Sequence, residues 1–456
     1  MKLTNKFLIG FMAIAACGCG QKQSDNPLLN DFTTPYGIAP FEEITIDNYR
    51  EGILLGMEEQ KAEIEAIINN PEEPTFQNTI VAMDQSGKLL RKVRGTFSPL
   101  TSSNSTEESR ALEKELSPLM SAHSDDINLN EKLFARVKKV YDNRENIKLT
   151  PEEKTVLENI YKRFVNSGAE LSETEKEKLR ELNQQLSMLE LTFSQNLLHE
   201  TNNTFVVANS LEELKGLPQA NIDAAAKMAA DNGQPGKWMF NMQRPSCNPV
   251  LQYCENRDLR KKVYDAYYNR GNTGNEYDSK EICRQLVTLR LEKAKLMGYN
   301  NYAEMVLEDR MAKTPEAVFE LLDQVWEPAV AKAKEELDDI RAEIRKEGKN
   351  FEPAGWDYMY YLDKAKRAKY SVDEQEIREY MEINNVMKGV FHVATQLYGV
   401  TFKEITADVP AYEPTAKAYE VIDKDGTVLA IFYSDNYPRE SKRAGAWCTS
   451  FRGQSY

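Results

Sequence analysis

Histidine is scarce in this chain, which has three, at positions 123, 199 and 392. No two of them stand four residues apart. A zinc site of the H-E-x-x-H kind needs two imidazoles on one helical face with a glutamate between them, so that site is not encoded here. His199-Glu200 begins the pattern, but Asn203 occupies the second ligand position. A side-chain amide is a poor zinc ligand, and the segment reads as a polar helix end. His123 reads as lying at a helix terminus and His392 as a partly buried helical residue. No G-x-S-x-G elbow, Walker loop or G-x-G-x-x-G stretch occurs, which removes serine-hydrolase and phosphate-cradling readings. Cysteine is sparse too. Among Cys247, Cys254, Cys283 and Cys448 no pair has C-x-x-C spacing, which argues against a zinc ribbon or thioredoxin site. Cys247 and Cys254 are near enough for a disulfide, with buried free thiols as the alternative. Positive charge is in deficit, 58 basic against 72 acidic residues for a net −14. A nucleic-acid surface needs clustered Lys and Arg, so none is expected. Acidic pairs abound, and most are read as solvated helix faces.

Long apolar runs are missing as well. The longest lead, Phe7 to Ala16, is ten residues, well short of the ~20 that span a bilayer. Behind Lys2 and Lys6 it has the form of a signal peptide over residues 1–19. Ile14-Ala15-Ala16-Cys17 looks like a bacterial lipobox, so Cys17 is the expected lipidation site, with Cys19 second. Residues 20–33 read as a polar tether. The expected location is outside the cytoplasm, in the periplasm or at the cell surface, anchored through acyl chains.

Helix signals fill the rest. Thr150-Pro151-Glu152-Glu153 supplies a cap, a first-position proline and a Glu at the third helical position. Ser172 with Glu175 is a second start, followed by Leu179, Leu182, Leu186, Leu189, Phe193 and Leu197 at helical spacing. Thr314-Pro315 is a third, with Pro328 expected to kink or end that helix, and Ser371 with Glu374 a fourth. Strand signals come late. Ala418 to Ile422 and Thr427 to Tyr433 flank Asp423-Lys424-Asp425-Gly426 and predict one hairpin. Lys215 to Lys237 gives the weakest signal, and Gly348 to Gly355 is the candidate boundary. The fold class is mainly α.

Several segments say more than their periodicity. In order they are Pro35-Tyr36-Gly37-Ile38-Ala39-Pro40-Phe41, Pro74-Thr75-Phe76-Gln77-Asn78-Thr79, Phe164-Val165-Asn166-Ser167-Gly168-Ala169 and Phe193-Ser194-Gln195-Asn196. There follow Leu289 to Ala294, Met297-Gly298-Tyr299, Met311 to Pro315, Trp356-Asp357-Tyr358 with Tyr361, and Tyr398 to Phe402. The most specific is Ile431-Phe432-Tyr433-Ser434-Asp435-Asn436-Tyr437-Pro438-Arg439, with Gly445-Ala446-Trp447 after it. From about Pro35 to Tyr456 this ordered set resembles the thimet oligopeptidase family of zinc peptidases, most of all its bacterial peptidyl-dipeptidase (dipeptidyl carboxypeptidase) branch, with oligopeptidase A next.

The resemblance implies a large multi-helix, neurolysin-like body with a small β element near the C-terminus, here incomplete. It implies an N-terminal helical domain over 34–350 and the start of a catalytic domain over 351–456. The family's H-E-x-x-H follows the segment that ends at Tyr456, so zinc ligands and catalytic residues are expected outside this chain, and truncation is favoured over decay. The implied reaction removes dipeptides from the C-termini of short, unstructured peptides, with zinc as cofactor in the intact protein. The alternatives are endo-acting cleavage on the same scaffold, or a non-catalytic, lipid-anchored peptide-binding protein. Asp435, Arg439 and Trp447 are read first as turn and core residues. The functional reading makes Ala444 to Phe451 an edge strand that pairs with substrate backbone, so that Ala446, Trp447 and Cys448 would hold a peptide without cleaving it. A monomer is expected.

Overall fold

The computed structural model describes residues 24–371 and 373–454. The expected signal peptide and Cys17 lie outside the described residues. The fold is mainly α, as expected. Its helices begin where short-range chemistry says they should. Thr150 accepts from the Glu153 amide while the Glu153 carboxylate accepts from the Thr150 amide at 2.8 Å, opening the helix Pro151–Asn166. Thr314 caps Pro315–Lys346 through the Ala317 amide. The Glu175 carboxylate accepts from the Ser172 amide at 2.9 Å at the head of Glu173–Asn203. Thr75 and Asn78 make the same reciprocal pair, which accounts for the Pro-Thr-Phe-Gln-Asn segment. At the other end of Pro151–Asn166, Gly168 takes φ +94°. There the Ala169 amide reaches the Phe164 carbonyl and the Gly168 amide the Val165 carbonyl. This is a Schellman closure, which a side chain at 168 would strain.

Two cores occupy the first half of the chain. In one, Ile64, Ile80, Leu133, Val137, Leu157 and Phe164 pack together. In the other, Tyr49, Ile53, Leu90, Val93, Leu112 and Leu116 join Leu28. Leu28 is buried, and Asn26 donates to the Asn48 carbonyl at 3.0 Å. The expected tether is therefore docked on the helix Ile46–Ile68 over its second half. A third core holds Phe240, Val250, Leu259 and Val263 with the buried thiols Cys247 and Cys254, which are not bonded to each other.

Other expectations change. The helix Pro315–Lys346 continues past Pro328 as one element, so the proline does not end it. Residues 321–329 are exposed, so water can take the carbonyl that proline leaves without a donor. Ser371 ends a helix in the left-handed region at φ 53° and begins none, and Asp373 caps Glu374–Tyr380 instead. The weak stretch from Lys215 to Lys237 contains the helix Gln219–Asp231. The helices on either side of Gly348 to Gly355 share a small core of Ile340, Ile344, Tyr360 and Tyr361. His392 is exposed. Its helix, Ile383–Tyr398, buries no residue among those described and meets the sheet chiefly through Phe391, stacked on Phe402 at 4.1 Å. Trp326 on Pro315–Lys346 and Leu397 on Ile383–Tyr398 stand 69% and 67% exposed.

Two small antiparallel sheets are present. β1 (Val206–Ala208) pairs with β2 (Trp238–Phe240). β3 (Thr401–Glu404), β4 (Lys417–Ile422) and β5 (Val428–Ser434) form the second in the order 3-4-5. The β4–β5 hairpin is the expected one, with Gly426 at φ +90°. β3, only four residues long, was not expected.

A candidate peptide cleft

Among the described residues β4 is paired on both sides and the outer edge of β5 has no partner strand. Residues Leu429 to Asn436 line a cleft of about 3070 Å³. Its facing wall comes from the helices Lys88–Ser103, Glu107–Asn128 and Pro151–Asn166, and from parts of Glu173–Asn203 and Lys280–Leu296. A single small molecule uses roughly 300–1,000 Å³. A space three times that size suits an extended chain.

Past β5 the backbone turns at Asp435 and is tied back to the helices. The Asp435 carboxylate accepts from Arg439 at 2.7 and 2.8 Å, from Lys442 at 2.9 Å and from the Tyr412 hydroxyl at 3.1 Å. Burial alone would raise its pKa; Arg439 and Lys442 outweigh that and hold the carboxyl below its usual range. Arg439 also donates to the Ser103 carbonyl. The Ser105 amide donates to Ser441 at 2.7 Å and the Arg443 amide to Ser102 at 2.8 Å. The long Ile431–Arg439 motif is thus a latch between strand and helix ends.

The segment from Ala444 to Phe451 is irregular. The expected edge strand is not there, and β5 supplies the free edge instead. The reason lies in how the segment is held. Phe451 sits among Phe41, Tyr412 and Tyr433, with ring centroids 5.3, 5.6 and 6.2 Å away. Its carbonyl oxygen lies 2.4 Å from where a Cβ on Gly95 would stand. Only glycine lets the segment lie this close to the helix. Arg452 donates to the Tyr36 carbonyl at 3.1 Å, so the Pro35–Phe41 motif receives the far end. Ala446, Trp447 and Cys448 all line the cleft, with Ala446 and Cys448 exposed and Trp447 half-buried.

The histidines do not converge. His123 lies inside Glu107–Asn128, beside the cleft, with Nε2 2.8 Å from the Gln60 amide oxygen. Burial pushes its pKa down. His199 stands edge-on to Tyr277, 3.6 Å between centroids, and its neighbour Glu200 accepts from Thr273 and Asn275. No group of three His, Cys, Asp or Glu among the described residues could hold a metal ion.

Residues 250–455 match the profile of peptidase family M3. Over 431 residues the chain is 36% identical to a dipeptidyl carboxypeptidase of Escherichia coli, covering 94% of this chain and 63% of that protein. These matches make the chain similar to peptidase family M3. Two further relatives agree. A dipeptidyl carboxypeptidase of Salmonella typhimurium is 35% identical over 95% of the chain and 64% of its own length. Oligopeptidase A of Haemophilus influenzae is 30% identical over 92% and 62%. The chain spans less than two thirds of the length of these M3 relatives. What the sequence alone did not reveal is the cationic lining on the facing helices. Lys88, Arg91 and Lys92 recur at helical spacing there, a signal that looks like any solvated face until the opposite wall is known.

Proposed function

We propose that this chain forms the peptide-holding part of a metallopeptidase that removes dipeptides from the C-termini of short, unstructured peptides. The observation that supports it is the cleft with a free strand edge along one wall. An extended peptide can pair its backbone with such an edge while its side chains meet the helices. Trp447 offers an apolar surface beside that edge. Endo-acting cleavage is the second reading, favoured by the likeness to oligopeptidase A, and mass analysis of products separates the two.

Zinc is the metal this family implies, and the described residues do not fit it, since no ligand group is present among them. The role assigned to this chain is therefore to bind and orient peptide, and no chemical step is assigned to it. Purified residues 24–454 are expected to carry no stoichiometric zinc and to release no dipeptide from an N-acetylated tetrapeptide, because metal affinity depends on ligands that are correctly placed. Metal analysis and product analysis check this. One zinc per chain with chelator-sensitive release would defeat it.

Anchoring belongs to the same reading, with Cys17 as the lipid attachment point. Cys17→Ser is expected to abolish palmitate labelling and to release the protein from membranes or block its processing. Labelling that persists would move the site to Cys19.

A further inference from the structure

At one point the chain closes its own cleft. Residues 445–454 all line it, and Phe451 meets both walls. On the sheet side its ring is inclined by 59°, 52° and 76° to the rings of Phe41, Tyr412 and Tyr433, the tilted geometry that aromatic pairs favour over a face-to-face sandwich. On the helical side its carbonyl oxygen lies against Gly95, inside the helix Lys88–Ser103, where there is no Cβ to hold it off. Arg452 then fastens the segment to the Tyr36 carbonyl.

The three rings keep their places without Phe451. Phe41 and Tyr412 stand 5.9 Å apart, and Tyr412 and Tyr433 6.0 Å apart, centroid to centroid. The Tyr412 hydroxyl donates to Asp435 at 3.1 Å, and the Tyr433 hydroxyl donates to the Pro410 carbonyl. All three rings line the cleft, and Tyr433 belongs to β5 itself. Without the Phe451 ring they would form an open aromatic hollow beside the outer edge of that strand.

We propose that Phe41, Tyr412 and Tyr433 form a subsite for an aromatic side chain of the bound peptide, and that Phe451 fills it until peptide arrives. The inference rests on the peptide-holding reading above and deepens it by naming a side-chain class. An extended peptide beside β5 sends alternate side chains to opposite faces, and one that enters this hollow meets rings on three sides. Phe451 competes with it in cis. A site open for only a fraction of the time loses affinity in proportion to that fraction. Gly95 permits the closure, because the Phe451 backbone can rest on the helix only where a side chain is missing.

The test is titration calorimetry on the full chain with acetyl-Ala-Phe-Ala-Ala, acetyl-Ala-Ala-Phe-Ala and acetyl-tetra-alanine. In the wild type the three should bind within about twofold of one another, since the hollow is filled. Phe451→Ala empties it and should make the better Phe peptide about tenfold tighter than the alanine one, the worth of one set of aromatic contacts. Gly95→Ala leaves every ring in place but sets a methyl where the Phe451 carbonyl lies. It should produce the same preference, and alanine favours the helix, so its melting curve should not fall. Phe41→Ala added to Phe451→Ala should remove the preference. In the wild type, excess Phe peptide should speed amide exchange over residues 449–452 as Phe451 is displaced. Equal binding of Phe and alanine peptides in Phe451→Ala or in Gly95→Ala would overturn the subsite while leaving peptide binding intact. So would a preference that survives Phe41→Ala, or exchange over 449–452 that slows with peptide. Binding of no peptide to any of these proteins would overturn the cleft assignment and this subsite with it.

Discussion

Replacing Asp357 with alanine is expected to cost about 3–5 kcal/mol of folding stability, as removing one partner of a buried ion pair generally does. Asp357 is fully buried and accepts from Arg257 at 2.8 and 3.0 Å, from Arg260 at 2.9 Å and from the Ala354 amide at 3.0 Å. Arg260, 1% exposed, has no exit to water. It also donates to the Cys254 carbonyl at 2.8 Å and lies 4.1 Å from the centre of the Tyr360 ring. Deleting the carboxylate would strand that charge between two helices and a core. Burial alone would raise the Asp357 pKa; Arg257, the Ala354 amide and Arg260 outweigh it and depress it. A carboxyl lowered on folding stabilises fully above its unfolded value, about 3.9, and loses that contribution as pH falls through the folded value. The gap between wild type and Asp357→Ala in urea midpoints, read by circular dichroism, should therefore be widest near neutrality and shrink below about pH 4. A gap that stays constant down to pH 2 would contradict this account.

Asp435→Ala is expected to free the latch while the helical cores stay folded. Two cations and a tyrosine hydroxyl converge on this carboxylate, and their loss should cost about 3 kcal/mol. Most of that should appear locally. Amide exchange over residues 436–454 should speed up about a hundredfold, while Leu133, Val137 and Leu157, deep in a separate core, keep their protection. Unchanged exchange in 436–454 would mean that the backbone bonds to Ser102 and Ser105 suffice without the carboxylate.

These two aspartates also mark what the sequence could and could not convey. Asp357 and Asp435 stand out within motifs, but nothing in the order of residues says that one meets Arg257 and Arg260 and the other Arg439 and Lys442. Helix starts were legible because a cap acts over three residues, as at Thr150 and Glu153. The β4–β5 hairpin was legible because its strands are joined by a four-residue turn with glycine. β3 was not, because Thr401–Glu404 is too short to show alternation and owes its conformation to β4. The segment from Ala444 to Phe451 was expected as an edge strand from the resemblance and not from any alternation of its own, and Phe451 serves as an anchor instead. The cleft was invisible for a broader reason: its walls lie from more than 120 to more than 300 residues apart in the chain. Trp447 could be placed near a binding surface by resemblance, but nothing in the order of residues says that Phe41, Tyr412 and Tyr433 meet.

That separation has a consequence for how the protein is made. The carbonyls of Ser102 and Ser103 and the amide of Ser105 bond to Arg443, Arg439 and Ser441. At translation rates of about 5–20 residues per second, roughly 20–70 s pass between the synthesis of the two sides. The first two cores draw all their residues from before position 170 and can consolidate on the ribosome in that interval. The ends of Lys88–Ser103 and Glu107–Asn128 must wait, solvated and open to chance partners. Order of emergence thus makes docking of the latch a late folding event, and a nascent chain paused before residue 435 would present its helical wall bare to whatever chaperone or protease is nearby.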